Sequence, residues 1–162
     1  MPICFDPVVP IDAQILILGS FPSPQSFESG FYYGHPRNRF WVMMSMLLNE
    51  NKPETVDEKK ELLLKHKIAL WDVLESCEIK GASDASIRNP VVNPVEKITS
   101  HSNVKAIFFN GAKAAELHHK YQPELNIPSF KMPSTSPANA AWSLERLKTK
   151  WAIILPYLEE TL

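Results

Sequence analysis

Four short apolar runs, separated by stretches with helical spacing, constrain the fold of this chain more than any other feature. They cover residues 15–18, 68–71, 104–109 and 127–132. Each run has the length and the continuous apolar character of a strand that is buried on both faces. Because such runs alternate with helical patterns, the sequence predicts an α/β fold in which helices cover both faces of a parallel sheet.

Apolar residues three or four positions apart predict four helices between and after these strands. Residues 57–66 begin acidic and end basic, as the helix dipole favours. The last helical pattern reaches residue 155, and Pro156 should end or kink it. The apolar stripes of the other three helices are Phe40, Trp41, Met44, Leu47 and Leu48; Ala114, Leu117 and Tyr121; and Leu144, Leu147, Trp151, Ile154 and Leu155.

Length and charge narrow the classes of protein further. The 162 residues fit one domain, so residues 1–162 are treated as a single unit. A net charge of −1 excludes bulk electrostatic attraction to nucleic acid but permits a local basic face. Two cysteines, Cys4 and Cys77, cannot form a four-cysteine zinc or iron–sulfur site. With no signal peptide pattern and no apolar run of about 20 residues, we expect a cytoplasmic protein without a membrane span.

Proline is concentrated in the segments that leave the carboxyl ends of the predicted strands. Seven of the 14 prolines lie there, which is where open α/β sheets bind ligands. Two of these connections, residues 19–37 and 74–94, have about 20 residues, a length usual for functional or disordered loops. The alternative is that proline is simply common in loops.

The connection after the first strand combines a glycine, three consecutive aromatic residues and two arginines. Gly19 permits close approach of a ligand to the backbone. The aromatic rings could stack on a nucleobase, and Arg37 and Arg39 could contact phosphates, although such residues also pack ordinary loops. Asn38 stands directly before a helical stripe, so its position alone favours an N-cap. His35 could be an ordinary hydrogen-bonding residue of the loop. The aromatic residues are Phe31, Tyr32 and Tyr33.

Two further polar segments follow later strands. Asn110 ends the third apolar run, where its amide would either face the crevice or cap the next helix. Residues 132–139 form a loop in which two prolines accompany hydroxyl side chains and backbone N–H groups suited to phosphate oxygens. A plain serine- and threonine-rich turn is the alternative for this loop.

Taken in order, these segments resemble the uracil-DNA glycosylase superfamily, and most of all its hypoxanthine-DNA (deoxyinosine) glycosylase branch. The resemblance rests on residues 19–23, 34–41, 109–111 and 132–140, and it spans about residues 14–142. It implies a three-layer α/β/α sandwich around a short four-stranded parallel sheet. It also implies a monofunctional DNA glycosylase that needs no metal or cofactor and acts on double-stranded DNA containing a deaminated base. We expect this single domain to be a monomer.

The resemblance also assigns roles to residues. In the hypoxanthine branch the catalytic asparagine lies in the His-Pro-Arg-Asn block, which makes Asn38 the residue whose Oδ1 positions the attacking water. His35 would support either the loop or the leaving base. The predicted base pocket contains Gly19, Ser20, Phe21, Phe31, Tyr32, Tyr33 and Asn110, and Tyr33 is the favoured stacking partner. The predicted DNA-binding residues are Arg37, Ser134, Thr135, Ser136, Pro137, Ala138 and Asn139.

One departure from the family pattern leaves the substrate open. Mismatch-specific relatives have an asparagine in the first motif, where this chain has Phe21, which argues against efficient uracil excision. The alternatives are a uracil or thymine mismatch glycosylase and a non-catalytic nucleic-acid-binding α/β module. Residues 83–86 and 88–90 also resemble the hypoxanthine branch, and Asp84 would either close the pocket or cap a turn.

Overall fold

The computed structural model describes residues 3–78, 88–122 and 125–158. It contains six strands: β1 (Ile15–Gly19), β2 (Ile68–Asp72), β3 (Leu74–Glu78), β4 (Arg88–Val92), β5 (Ala106–Asn110) and β6 (Ser129–Met132). The helices are α1 (Pro24–Ser29), α2 (Phe40–Leu47), α3 (Val56–Lys65), α4 (Glu96–Thr99), α5 (Ala112–Tyr121), α6 (Leu144–Trp151) and α7 (Leu155–Leu158). No helix among the described residues is long and apolar enough to cross a membrane.

The four predicted strands form one parallel sheet in the order β2-β1-β5-β6. Every residue of β1 is buried. Because successive side chains of a strand point to opposite faces, both faces of the sheet must be covered. Helix α3 contacts β2, and α5 contacts β5 and β6. The fold is therefore a three-layer α/β/α sandwich around a four-stranded parallel sheet, and this prediction is confirmed.

Both long connections contain elements that the sequence reading did not predict. Residues 19–37 include α1, which begins at Pro24 after a side-chain cap from Ser23 and ends at Gly30 in the left-handed conformation. Residues 74–94 include the antiparallel pair β3–β4, whose register shifts twice along the pair. Near the C-terminus, α6 gives way to a 3₁₀ turn at Ala152–Ile154 before α7, which contains Pro156. The predicted segment 83–86, with Asp84, lies outside the described residues.

The strand register brings polar residues together at the carboxyl edge of the sheet. Gly19 at the end of β1 pairs with Asp72 at the end of β2. Asn110 ends β5, directly after the residue that pairs with Leu18 of β1. Since parallel strands end at the same edge, the sheet places Asp72, Gly19 and Asn110 side by side.

Candidate active site

A cavity of about 220 Å³ opens at this carboxyl edge of the sheet. Asp72 and Asn110 contribute from the strand ends, and Asn38 contributes from the segment before α2. Residues 134–136, from the loop after β6, complete the wall. Open α/β sheets bind ligands at such an edge, so this cavity is the candidate active site.

The structure brings all but one of the predicted base-pocket residues to this cavity. Gly19, Ser20, Phe21, Tyr32, Tyr33 and Asn110 line it. Phe31 does not, because its ring is buried in the core and stacks on Trp41 with ring centroids 5.9 Å apart. The prediction for Phe31 is therefore corrected. Tyr32 is also buried, and its hydroxyl donates to the carbonyls of Phe5 and Asp6, so its role is largely to anchor the N-terminal segment.

A directed chain of hydrogen bonds holds the Asn38 side chain. The Thr135 backbone N–H donates to Asn110 Oδ1 (3.0 Å), which fixes the orientation of that amide and leaves Asn110 Nδ2 to donate to Thr135 Oγ1 (3.0 Å). The Phe40 backbone N–H donates to Asn38 Oδ1 (2.9 Å). Because a backbone N–H can only donate, both amide orientations are fixed. The Thr135 hydroxyl must then donate its proton to Asn38 Oδ1 at 2.8 Å.

These hydrogen bonds determine which atom of the Asn38 amide remains available to bind a water. A carbonyl oxygen has two lone pairs, and Asn38 Oδ1 already accepts from Phe40 and from Thr135. The expectation that Oδ1 positions a water is therefore corrected, because the polar atom of this amide without a hydrogen bond to the described residues is Nδ2. The N-cap of α2 is Arg39, whose side chain makes no capping hydrogen bond. Asn38 therefore lies one residue before the N-cap rather than at it, and its side chain accepts from Phe40, the first residue of the helix.

Thr135 was predicted to contact DNA, but it is completely buried and holds Asn38 instead. We expect Thr135→Val to lower the rate of catalysis at this site by about tenfold or more, because valine keeps the shape but cannot donate to Asn38 Oδ1. Unfolding free energy should fall by about 1–3 kcal/mol, since Asn110 Nδ2 also loses its acceptor. Steady-state kinetics and denaturant unfolding would measure both effects. Thr99→Val, in the short helix α4, provides the control; unchanged kinetics for Thr135→Val would contradict the proposed role.

His35 lies three residues before Asn38 in the sequence but is not among the residues that line the cavity. Its Nδ1 accepts from the Arg37 backbone N–H (3.0 Å), and its carbonyl accepts from the Asn38 backbone N–H (2.9 Å). An Nδ1 that accepts leaves the ring proton on Nε2. His35 therefore lies in the turn that carries Asn38 rather than against the cavity, which fits the predicted support of the loop and not support of the leaving base.

The predicted phosphate loop satisfies most of its N–H groups internally. The Ser136 N–H donates to Ser134 Oγ, and the Ala138 N–H donates to Ser136 Oγ. The Asn139 N–H donates to the Ser136 carbonyl, and its side chain donates to the Ser134 carbonyl. The expectation of free backbone donors for phosphate is therefore corrected for these positions. Pro137 is half-buried and Ala138 is exposed, so the tip of the loop remains open for contact with a partner.

The two arginines before α2 have different surroundings. Arg37 is exposed, as a residue that contacts phosphate would be. Arg39 instead donates its guanidinium N–H groups to the backbone carbonyls of Ser136 and Asn139, at 2.9 and 3.1 Å, and to that of Trp142. Its backbone N–H also donates to the Thr135 carbonyl. Arg39 therefore attaches the 134–142 loop to the segment that carries Asn38, rather than binding phosphate.

Asp72 is a residue of this site that sequence analysis missed. Its side chain is 3% exposed, and its Oδ2 has no hydrogen-bond partner. Burial raises the pKa of this carboxyl to about 8, so the neutral acid predominates at pH 7. The signal was available, because Asp72 directly follows an apolar run, as Asn110 does. Among the described residues, no three His, Cys, Asp or Glu side chains are grouped closely enough to bind a metal ion.

Gly19 makes room for two polar side chains at the floor of the cavity. A Cβ atom at this position would lie 2.6 Å from Asp72 Oδ1 and 2.9 Å from the Tyr33 hydroxyl. The Tyr33 hydroxyl is buried without a hydrogen-bond partner, and its residue has a positive φ of 55°. Burial, and secondarily the Asp72 charge, raise the pKa of Tyr33. Neighbouring unpaired polar groups in a cavity are expected where a ligand completes the hydrogen bonds.

Comparison with known proteins agrees with this fold. Residues 7–157 match the family model described as the uracil DNA glycosylase superfamily. Proteins named hypoxanthine DNA glycosylase are similar to this chain. The protein from Methanosarcina barkeri is 33% identical, and the match covers 91% of this chain and 94% of the relative. The protein from Methanosarcina acetivorans is 34% identical, and the match covers 93% of this chain and 95% of the relative. The solution NMR structure of a candidate uracil DNA glycosylase from Methanosarcina acetivorans superposes with a TM-score of 0.83 at 30% identity, covering 96% and 97% of the two chains. The chain therefore belongs to the uracil DNA glycosylase superfamily.

Proposed function

We propose that this DNA glycosylase releases hypoxanthine from deoxyinosine in double-stranded DNA. The observation that carries the proposal is the fixed Asn38 amide, held by Thr135 and Asn110 on the wall of the cavity. The relatives named hypoxanthine DNA glycosylase, which cover more than nine-tenths of this chain, support the choice of base.

The reaction needs placement of water more than a strong base. As the bond between deoxyribose C1′ and the base nitrogen breaks, positive charge develops on the sugar and negative charge on the base. A water oxygen then bonds to C1′, and a water proton ends on the base. Asn38 Nδ2 can donate to that water oxygen, because Oδ1 is occupied by Phe40 and Thr135. An amide fixed before the reaction holds the water without further reorganisation.

The flipped base would lie against aromatic side chains. Phe21 and Tyr33 both line the cavity and are partly exposed. The Tyr33 ring already packs on Phe40, with ring centroids 4.3 Å apart, so one of its faces is covered. Phe21 in turn packs on Phe27, with ring centroids 5.7 Å apart, so both Phe21 and the predicted Tyr33 are candidates for stacking on the base. Stacking of a base on an aromatic ring contributes about 1–3 kcal/mol, which helps offset the cost of leaving the duplex.

DNA would approach the open side of the cavity. Lys113, which lines the cavity and lies 3.9 Å from Glu116, and Arg37, which is exposed and precedes Asn38, would meet its phosphates; Lys113 was not among the predicted residues. Pro137 and Ala138, which are half-buried and exposed at the tip of the loop after β6, would enter the space that the flipped base leaves in the duplex. Hydrogen bonds within this loop fix its conformation, so its surface would be preformed for such contact.

Uracil is the second candidate base. It presents the same C=O beside an N–H as hypoxanthine does, and the structurally similar NMR protein is described as a candidate uracil DNA glycosylase. Adenine presents an amine beside an acceptor nitrogen, so a site built for the C=O and N–H pair would leave buried groups unpaired against it.

We expect purified protein to release hypoxanthine from deoxyinosine-containing duplex DNA without added metal and to leave an abasic site. Duplexes with inosine, uracil or thymine mispairs, cleaved by alkali after incubation and separated on gels, would compare the bases directly. Faster release from the uracil duplex would select the second candidate. Intact strands for every base across a range of pH and salt would contradict a glycosylase and favour a non-catalytic binding module.

A further inference from the structure

Asp72 is a buried carboxyl group at the cavity that the steps proposed above do not use. It lines the cavity, it ends β2 beside Gly19, and its Oδ2 has no hydrogen-bond partner. Its backbone carbonyl accepts from Asn93 Nδ2 (2.8 Å), which fixes the main chain at this position. A buried carboxyl oxygen without a partner is costly unless a ligand supplies one. The floor of the cavity therefore presents a fixed polar group with unused hydrogen-bonding capacity.

We propose that Asp72 binds the flipped base as a neutral carboxylic acid, donating its O–H to the base C=O and accepting from the adjacent N–H. This inference rests on the proposed function, and it identifies the group that reads the base. A neutral carboxyl carries one donor and one acceptor side by side, as does the C=O and N–H edge shared by hypoxanthine and uracil. A carboxylate only accepts, so it would repel the base carbonyl.

The Asn110 amide is held in place by its bonds to Thr135, which use one Oδ1 lone pair and one of the two Nδ2 hydrogens. Its Oδ1 accepts from the Thr135 N–H, and its Nδ2 donates to the Thr135 hydroxyl. Turning this amide toward a base would release Thr135, which in turn holds Asn38. The roles are therefore divided: Asn110 organises the water-holding amide, and Asp72, on the other side of Gly19, is free for the base.

The surroundings favour the protonated form of Asp72. Burial raises the pKa of this carboxyl to about 8. The titratable groups that interact with it are Tyr32, Tyr33 and Cys4, and burial raises the pKa of all three, so they remain neutral near pH 7. Lys113 lines the same cavity at its rim, yet burial is the only cause acting on the Asp72 pKa. Among the described residues, no cation holds the carboxylate form in place.

The test compares wild type with Asp72→Asn, Asp72→Ala and the exposed control Asp57→Asn on inosine duplexes from pH 6 to pH 9.5 under single-turnover conditions. Asparagine keeps one donor and one acceptor in the same shape but does not ionise. At pH 6 we expect Asp72→Ala to be slower than wild type by about tenfold or more, because the base edge loses both partners. Asp72→Asn should stay within about tenfold of wild type, and Asp57→Asn should match wild type throughout.

The pH dependence separates base reading from a merely structural role. Wild type should lose activity relative to Asp72→Asn as pH rises through about 8, because only wild type becomes a carboxylate. Ionisation of the substrate itself affects both proteins equally and cancels in the ratio. Full activity of Asp72→Ala, or parallel profiles for wild type and Asp72→Asn, would overturn the inference while leaving the glycosylase proposal intact. If wild type releases neither hypoxanthine nor uracil, the proposed function fails and this inference fails with it.

Discussion

Replacing Asn38 with alanine is expected to lower the rate of base release by about 100-fold or more while the folded protein persists. Alanine removes Nδ2, the amide donor that would hold the attacking water, and misplacement of a reacting group costs about this much. It also removes the acceptor for the Phe40 N–H and the Thr135 hydroxyl. We expect the unfolding free energy to fall by about 0.5–2 kcal/mol, the usual cost of losing a cap-like side chain at the start of a helix.

Single-turnover kinetics and denaturant unfolding on the same preparation would test both parts of this prediction. Asn51→Ala is a matched control, because Asn51 is exposed and lies outside the cavity. Asn38→Asp is also informative, since a carboxylate could accept from Phe40 and Thr135 but could not donate to water. A rate near wild type for Asn38→Ala would return this residue to a structural role and would leave the chemistry without its water-holding group.

Replacing Asp72 with asparagine is expected to stabilise the protein at neutral pH. The pKa of this carboxyl is about 8 in the folded state against 3.8 for an unperturbed aspartate. Below pH 4 the group is neutral in both states. Between pH 4 and pH 8 the unfolded chain releases its proton while the folded protein keeps it. The unfolding free energy of wild type therefore falls by about 1.4 kcal/mol per pH unit. Asparagine does not titrate, so at pH 7 we expect the unfolding free energy of Asp72→Asn to exceed that of wild type by on the order of 4 kcal/mol.

Urea unfolding of wild type and Asp72→Asn at several pH values from 4.5 to 9 would measure this gain. The difference in unfolding free energy should grow up to about pH 8 and then level off, while contributions from other titrating groups cancel in the comparison. A constant difference across this range would mean that Asp72 is already ionised in the folded protein. In that case it could not donate to a base carbonyl.

The parts of the fold that depend on burial could be predicted from the sequence. The four apolar runs became the four parallel strands because a strand covered on both faces has no alternative to continuous apolar residues. The elements that depend on local caps or short pairings were missed. Helix α1 has only six residues, and the register of the pair β3–β4 shifts twice, so neither leaves a periodic pattern.

For the site, the sequence indicated which segments meet but not which atoms they use. Asn38 and Asn110 could be found because a polar residue beside an apolar element stands out. Asp72 has the same signal, because it directly follows the apolar run of residues 68–71. Thr135 and Arg39 could not be assigned from sequence, because their partners lie about 100 residues away and include backbone carbonyls.

The attachment of the loop after β6 to Arg39 determines which residues of this loop can be substituted. The guanidinium bonds main-chain carbonyl groups of Ser136, Asn139 and Trp142, which any amino acid would present in their place. Pro137 and Ala138, between the first two anchors, can therefore be exchanged without releasing the loop from its support. If these two residues enter the duplex as proposed, libraries that vary them should alter sequence-context preference while the Asn38 amide stays in position.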